Sequence, residues 1–362
     1  MKGRINNYGK YLRKKERSSN LELFRIIVMF LIVAHHYVVN SGLIQEMSKT
    51  PFEANSIFLY IFGMWGKTGI NCFIFITGYF MCKSEITLYK YAKLILQVIF
   101  YKIIFTLIFA LSGYHNYSIG ELITNLAPLW NIKDGFVSCF LVFYLFIPFL
   151  NILIRNMNKS QHLALLILCL SIYTLWGNVN IFANVTFNYI TWFSILYLIA
   201  GYIRLYPIYK NDDYKFWGWA TIASIIIAIC MVPILLKVNI FPYKHVSDSN
   251  AIFAVIIGIC SFMYFKNVPI KYSNTINMIG ASTFGILLIH ANSDVMRQWL
   301  WRDTLNNVGW FSSDYIYIHA VLGCIGIFIT CSFIDIIRIK FIEKPTLEYI
   351  DKKLLQKIKI GF

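Results

Sequence analysis

Ten stretches of this chain stay apolar for long enough to cross a bilayer, at roughly 22–40, 57–81, 94–112, 136–154, 162–177, 187–204, 217–235, 250–265, 275–291 and 315–338. A segment in hydrocarbon must satisfy its own backbone, which leaves only helices and closed barrels. The runs are continuous rather than alternating, so the expected fold is an all-α integral membrane bundle of about ten transmembrane helices. The fifth and eighth runs, near the lower length limit, fit tilted or re-entrant pieces as well, so the count holds to within one. Composition agrees, with 58% hydrophobic and 14% charged residues against the usual quarter charged. No small-residue cleavage site follows the first run, which is therefore expected to be a permanent span.

A net charge of +16 would indicate nucleic acid in a soluble protein. Here topology accounts for it: with the N-terminus inside, 24 Lys and Arg fall in inner segments and 7 in outer ones. Basic residues collect in cytoplasmic loops, so both termini are expected in the cytoplasm and the protein in the plasma membrane, in contact with lipid and with no nucleic-acid partner. Residues 1–20 read as a basic cytoplasmic segment, 21–345 as the transmembrane domain and 346–362 as a basic tail, where "KKLLQKIK" is suited to an amphipathic helix on the inner leaflet. The longest outer loops, near 113–135 and 292–314, leave no room for a soluble domain. Chemistry must sit in or against the bundle. Eight cysteines lie mostly in apolar runs without C-x-x-C spacing, so they read as small core residues, with no metal expected. Trp130, Trp192, Trp217 and Trp310 sit near span ends and look like interface belts.

The first span, "NLELFRIIVMFLIVAHHYVVNSG", keeps Glu22, Arg25, His35 and His36 near or within its apolar run. Arg25 and His36 are 11 residues apart, about 1100° around a helix and roughly 16 Å along it, so they share a face. His35 points about 100° away and reads as a packing or orienting residue. Glu22 is one turn before Arg25, in reach of an ion pair. An ionisable group in a span costs about 2.5–3.5 kcal/mol, which is tolerated where the face looks into a wet or protein-lined cavity. Two readings fit: a snorkelling Glu22–Arg25 pair with histidines hydrogen-bonded between helices, or a site in which His36 moves a proton as base or nucleophile. Spacing does not separate an acyltransferase from a proton-coupled transporter.

The order of motifs goes further. The first span, with Glu22, Arg25 and the R-x10-H spacing to His36, resembles that of the membrane-bound acyltransferase 3 family. "GKTGINCFIFITGYFM" (66–81) is similar to its F-F-x-x-S-G-Y segment, with Thr77 in the Ser position. "LYKYAKLILQ" (88–97), "FVSCFLVFYLFIPFLN" (136–151), "YLIAGYIRLY" (197–206), "ASTFGILLIH" (281–290) and "FIEKP" (341–345) follow in the family's order. The resemblance runs from about residue 20 to 345. Two positions depart from it: Lys90 and Lys93 stand where the family has an R-x-x-R pair, losing bidentate phosphate recognition while keeping the charge, and Val137 replaces a frequent aromatic.

The resemblance implies an O-acyltransferase that moves an acyl group, usually acetyl from acetyl-CoA, onto a hydroxyl of an envelope, capsular or lipid-linked polysaccharide. With the family in view, His36 is the expected base, with Arg25 and Glu22 beside it. Lys90, Lys93 and Arg25 are candidates for the CoA phosphates, Lys90 and Lys93 being equally suited to anchoring the inner interface. His290 closes the ninth span at the end nearer His36, with Asn292 and Asp294 just beyond. His290, Lys67, Asn71, Thr77 and Tyr79 are the acceptor or pantetheine candidates, while Gly66, Gly69 and Gly78 suit close helix approach. In "FIEKP", Pro345 is expected to stop the last helix and Glu343 to pair with a basic residue. The alternative is a proton-coupled transporter or exporter of a glycan precursor using the same groups as relays. It calls for matched helix breaks in two halves, and Pro148 and Pro233 make no convincing pair.

Overall fold

A computed structural model describes residues 18–129, 132, 135–177, 188–207 and 213–349, the last three of these by backbone alone. Trp130, Lys133, the basic segment before residue 18 and the tail beyond 349 lie outside the described residues. The described chain is helical, without a strand. In order, the helices are α1 (Ser19–Val39), α2 (Leu43–Lys49), α3 (Ala54–Gly63), α4 (Gly66–Met81), α5 (Leu88–Leu111), α6 (Ile119–Leu126), α7 (Phe136–Asn156), α8 (Lys159–Leu170), α9 (Tyr189–Leu205), α10 (Tyr214–Lys237), α11 (Ile252–Asn267), α12 (Asn274–His290), α13 (Asp294–Arg297), α14 (Ile316–Arg338) and α15 (Lys344–Tyr349). Wide-turn segments continue α8 through Trp176, α13 through Thr304 and α14 through Glu343.

Each of the ten apolar runs falls on helix. Six helical stretches are long and apolar enough to cross a membrane, and α9 and α11 are shorter apolar helices. Helix starts follow local polar signals. Thr87, Asn188, Ser273 and Ser293 each accept a backbone N–H of the first turn. Ser118 with Glu121 and Asn158 with Gln161 form full capping boxes. The first of these opens α6 within what reads as a plain outer loop.

α1 is the axis of the bundle, packed against α3, α4, α12 and α14. Leu21, Phe24, Val28, Met29, Ile32, Val33, Ala34 and Tyr37 are buried around its circumference. Glycines set the closest approaches: a Cβ on Gly66 would strike the His35 ring, one on Gly69 would meet Ile32, and one on Gly78 would meet Ala200 and Tyr197. The outward faces of α5, α10 and α14 carry exposed apolar side chains such as Leu107, Ile226, Leu322 and Phe333, the surface a lipid solvent requires. The fold is that of a polytopic membrane protein.

Several expectations change. The run at 57–81 is two helices, because the break after Gly63 frees that residue's carbonyl and His35 occupies it (Nδ1 to O, 2.6 Å). Pro345 does not end the last helix: the wide turn over Ile339–Glu343 absorbs the missing donor, and the chain continues into α15. Trp192 is fully buried and donates to the Asn71 side chain at 3.0 Å, so it is a core residue rather than part of an interface belt. None of the eight cysteines forms a disulfide; five are buried, while Cys230 faces outward.

Candidate active site

Where α1 and α12 end and α4 and α7 begin, a cavity of about 370 Å³ opens between helices. His35 and His36 enter it from α1, Gly66 and Lys67 from α4, Lys102 from α5, Phe136, Val137 and Ser138 from α7, and Leu287, Leu288 and Asn292 from the end of α12 and just beyond, with Arg297 at its edge. Met29, Ile32, Ile70 and Phe73 form apolar wall.

The pairing of His36 with His290 decides what this wall can do. Ile286 O is a pure acceptor 2.6 Å from His290 Nδ1, so that nitrogen carries its proton. In a neutral ring His290 Nε2 is then the acceptor, and His36 Nδ1 donates to it across 2.9 Å. The tautomers are thus assigned by the hydrogen-bond chain. It leaves the lone pair of His36 Nε2 without a hydrogen bond among the described residues, on a residue that lines the cavity. A backbone carbonyl orients one imidazole, which orients a second and leaves it ready to accept a proton. His290 itself is fully buried, held edge-on to Trp301 at 6.3 Å. His35 lines the same cavity, its ring seated against Gly66 and its Nδ1 held by Gly63.

The remaining sequence candidates divide. Lys67 belongs to the cavity and donates to Tyr189 Oη, its Nζ 5.2 Å from that ring centroid. Arg25 does not line it: the guanidinium pairs with Glu22 at 3.4 Å and lies 5.7 Å from the centroid of Phe73. Phe73, which the guanidinium touches, is itself part of the cavity wall, and Arg25 is not. Glu22 is 5% exposed, lying against Gly280 of α12 so closely that a Cβ there would collide with its carboxylate.

Asn71 is buried in structural bonds to Ser249 O, Ala254 O and Trp192. Thr77 bonds its own helix at Phe73 O, and Tyr79 carries the Arg204 guanidinium 4.4 Å above its ring. None of the three lines the cavity. Lys90 donates to Ser84 Oγ and Glu85 O, whereas Lys93 pairs with Glu343 at 2.6 Å. Both lie at the end of the bundle opposite the cavity, engaged with different partners.

Sequence reasoning passed over Lys102 and Arg297 as site residues, and over the Asp335–Arg338 pair. Lys102 Nζ donates to Asn292 O. Asp335 is fully buried and accepts from Arg338 Nε at 2.7 Å, Tyr101 Oη at 2.7 Å and Gln97 Nε2 at 3.4 Å. The signal was present in both cases: a lysine in the middle of an apolar run, and an acid and arginine three apart in another, the spacing that exposes Glu22 and Arg25.

An all-α bundle with lipid-suited outer faces and a cavity lined by an oriented imidazole defines a class of polytopic membrane protein. The chain matches the Acyltransferase domain of the acyltransferase 3 family over residues 18–336, and it belongs to that family. No curated protein and no solved structure matches it. The matched span takes in α1 to most of α14, and with them every residue of the cavity wall. The protein is a membrane acyltransferase.

Proposed function

We propose that this acyltransferase moves an acyl group, normally acetyl, from acyl-CoA to a hydroxyl of an envelope, capsular or lipid-linked polysaccharide, with His36 as the base. The observation that carries the reading is the hydrogen-bonded relay Ile286–His290–His36, which leaves one imidazole nitrogen of a cavity-lining residue without a partner among the described residues, beside a space large enough for a sugar residue. In the reaction, His36 Nε2 takes the hydroxyl proton as the acceptor oxygen attacks the thioester carbonyl. The new C–O bond forms, the C–S bond breaks, and the departing thiolate of CoA recovers the proton from His36. A positioned base of this kind contributes about 10²–10⁴-fold. His290 holds the ring through both halves of the cycle, since His36 Nδ1 donates to it whether Nε2 is bare or protonated.

The excess of Lys and Arg in alternate loops supports a plasma-membrane protein with both termini in the cytoplasm. In that orientation the cavity lies toward the outer leaflet, and Lys90, Lys93 and Arg25 lie toward the cytoplasm where acyl-CoA resides. Phosphates are suited to those cations, with Glu343 and Glu22 as the ion-pair partners they would displace or share. No metal takes part in these steps.

The test is transfer of labelled acetyl from acetyl-CoA to envelope glycan by the full-length protein in nanodiscs. His36→Ala and His36→Gln are expected to lose at least 100-fold in rate with melting temperature unchanged. Undiminished transfer by either variant overturns the assignment of the base.

A further inference from the structure

Within the reading of an acyl-CoA-dependent transferase, on which this step rests, we infer that the acceptor is an anionic glycan. It carries a carboxylate or a phosphate close to the hydroxyl that is acylated, and Lys67 and Lys102 hold that anion in the cavity beside His36.

The cavity wall contains three basic side chains, Lys67, Lys102 and Arg297, and among its described residues no carboxylate. Arg297 is compensated at the rim by Asp294 at 2.7 Å. The two lysines have neutral partners only among the described residues, a phenol oxygen for Lys67 and a backbone carbonyl for Lys102. Ammonium groups drawn into a protein-lined cavity at membrane depth carry a desolvation cost that a neutral acceptor does not offset, and such charges are normally paired. Three other cations of this molecule follow the rule. Arg25 has Glu22, Lys93 has Glu343, and Arg338 has both Asp335 and Glu343. Asp294, the acid whose field reaches Lys102, is already paired with Arg297, so the counter-charge that Lys67 and Lys102 lack among the described residues is expected to arrive with a ligand.

That ligand is the acceptor rather than the donor. In acyl-CoA the phosphates are separated from the thioester by the whole pantetheine arm. When the thioester carbonyl is at His36 they cannot also lie among cations lining the same cavity of about 370 Å³. An acceptor sugar has its reacting hydroxyl and a ring carboxylate, or a phosphate on a neighbouring position, within one residue's span. The two lysines come from different helices, α4 and α5, and can close on such a group from two sides.

The experiment uses full-length protein in nanodiscs with three oligosaccharide probes of equal length: one neutral, one containing glucuronic acid and one bearing glycerol phosphate. Binding by titration calorimetry is expected to be at least tenfold tighter for a charged probe than for the neutral one, and weaker with added salt. The better of the two charged probes separates carboxylate from phosphate. Lys67→Gln and Lys102→Gln should each raise the acceptor KM tenfold or more and leave the acetyl-CoA KM unchanged. Lys67→Arg and Lys102→Arg should recover most of the loss.

Equal binding of neutral and charged probes overturns the inference, and so does a rise in the acetyl-CoA KM in place of the acceptor KM, which would assign the lysines to the donor. If a glutamine variant fails to fold, the wild-type probe comparison still decides. Absence of transfer from acetyl-CoA to any probe counts against the proposed function, whereas transfer to the neutral probe at full efficiency leaves that function standing and removes only the anionic acceptor.

Discussion

The two ends of the bundle treat charge in opposite ways. At the end where α5 begins and α14 finishes, Lys93 and Arg338 are each paired with a carboxylate, while Lys90 donates to neutral oxygens. Lys93 and Arg338 share Glu343, and Arg338 also holds Asp335, which further accepts from Tyr101 and Gln97. At the cavity end, Lys67 and Lys102 meet only neutral oxygens, and the histidines are tied to each other and to backbone carbonyls. The first end is an internally completed network that locks α5 to α14. The second is built with capacity left over, and that capacity faces a cavity. A buried ion pair and a substrate-binding cation can look alike in sequence; the partner separates them.

Breaking the completed end should give the largest change. Arg338→Ala leaves Asp335 buried without its main partner, and removal of one member of such a pair costs about 3–5 kcal/mol. Thermal melting in detergent should fall accordingly, and Asp335→Asn with Arg338→Met together should recover much of it. Next in size is a loss confined to chemistry: His290→Ala releases the His36 ring and should lower kcat by roughly 10–100-fold with little change in melting, since a positioned base supplies 10²–10⁴. His290→Gln, whose side-chain oxygen can still accept from His36 Nδ1, should retain more.

Smaller again is Gly285→Ala. The added Cβ would collide with the Asp335 carboxylate, just as one at Gly280 would collide with Glu22. Overpacking of this kind costs about 1–3 kcal/mol, so each alanine should lower the melting temperature by an amount that its partner's replacement abolishes in a double-mutant cycle. The smallest effect on stability is expected for Lys102→Met. It removes a charge that has no ion pair among the described residues, so the protein should be unchanged or more stable by roughly 1 kcal/mol. A loss as large as that of Arg338→Ala would erase the contrast between the two ends.

Much of the fold was legible because lipid leaves few options. Each apolar run became helix, and Thr87, Asn158, Asn188 and Ser273 start helices as side-chain capping predicts. Misreadings arose where a local rule met a tertiary partner. Trp192 looked like an interface residue until Asn71 took its N–H in the core. Pro345 looked like a terminator until a wide turn removed the conflict. Of the candidate site residues, His36 and Lys67 share one cavity and His290 stands behind His36, while Arg25, Asn71, Thr77 and Tyr79 do not line it. Spacing along one helix puts Arg25 and His36 on a face, but it cannot show that His36 lines the cavity while Arg25 turns to Glu22 outside it.

By itself the sequence determined that this chain is a helical membrane protein with ionisable groups in its first span, because hydrophobic length and the cost of burying charge are local properties of a segment. Tertiary structure alone decided which of those groups are spent on each other and which remain open. A hydrogen bond between His36 and His290 joins residues 254 positions apart, and a lysine's lack of a carboxylate appears only when every neighbouring helix is in place.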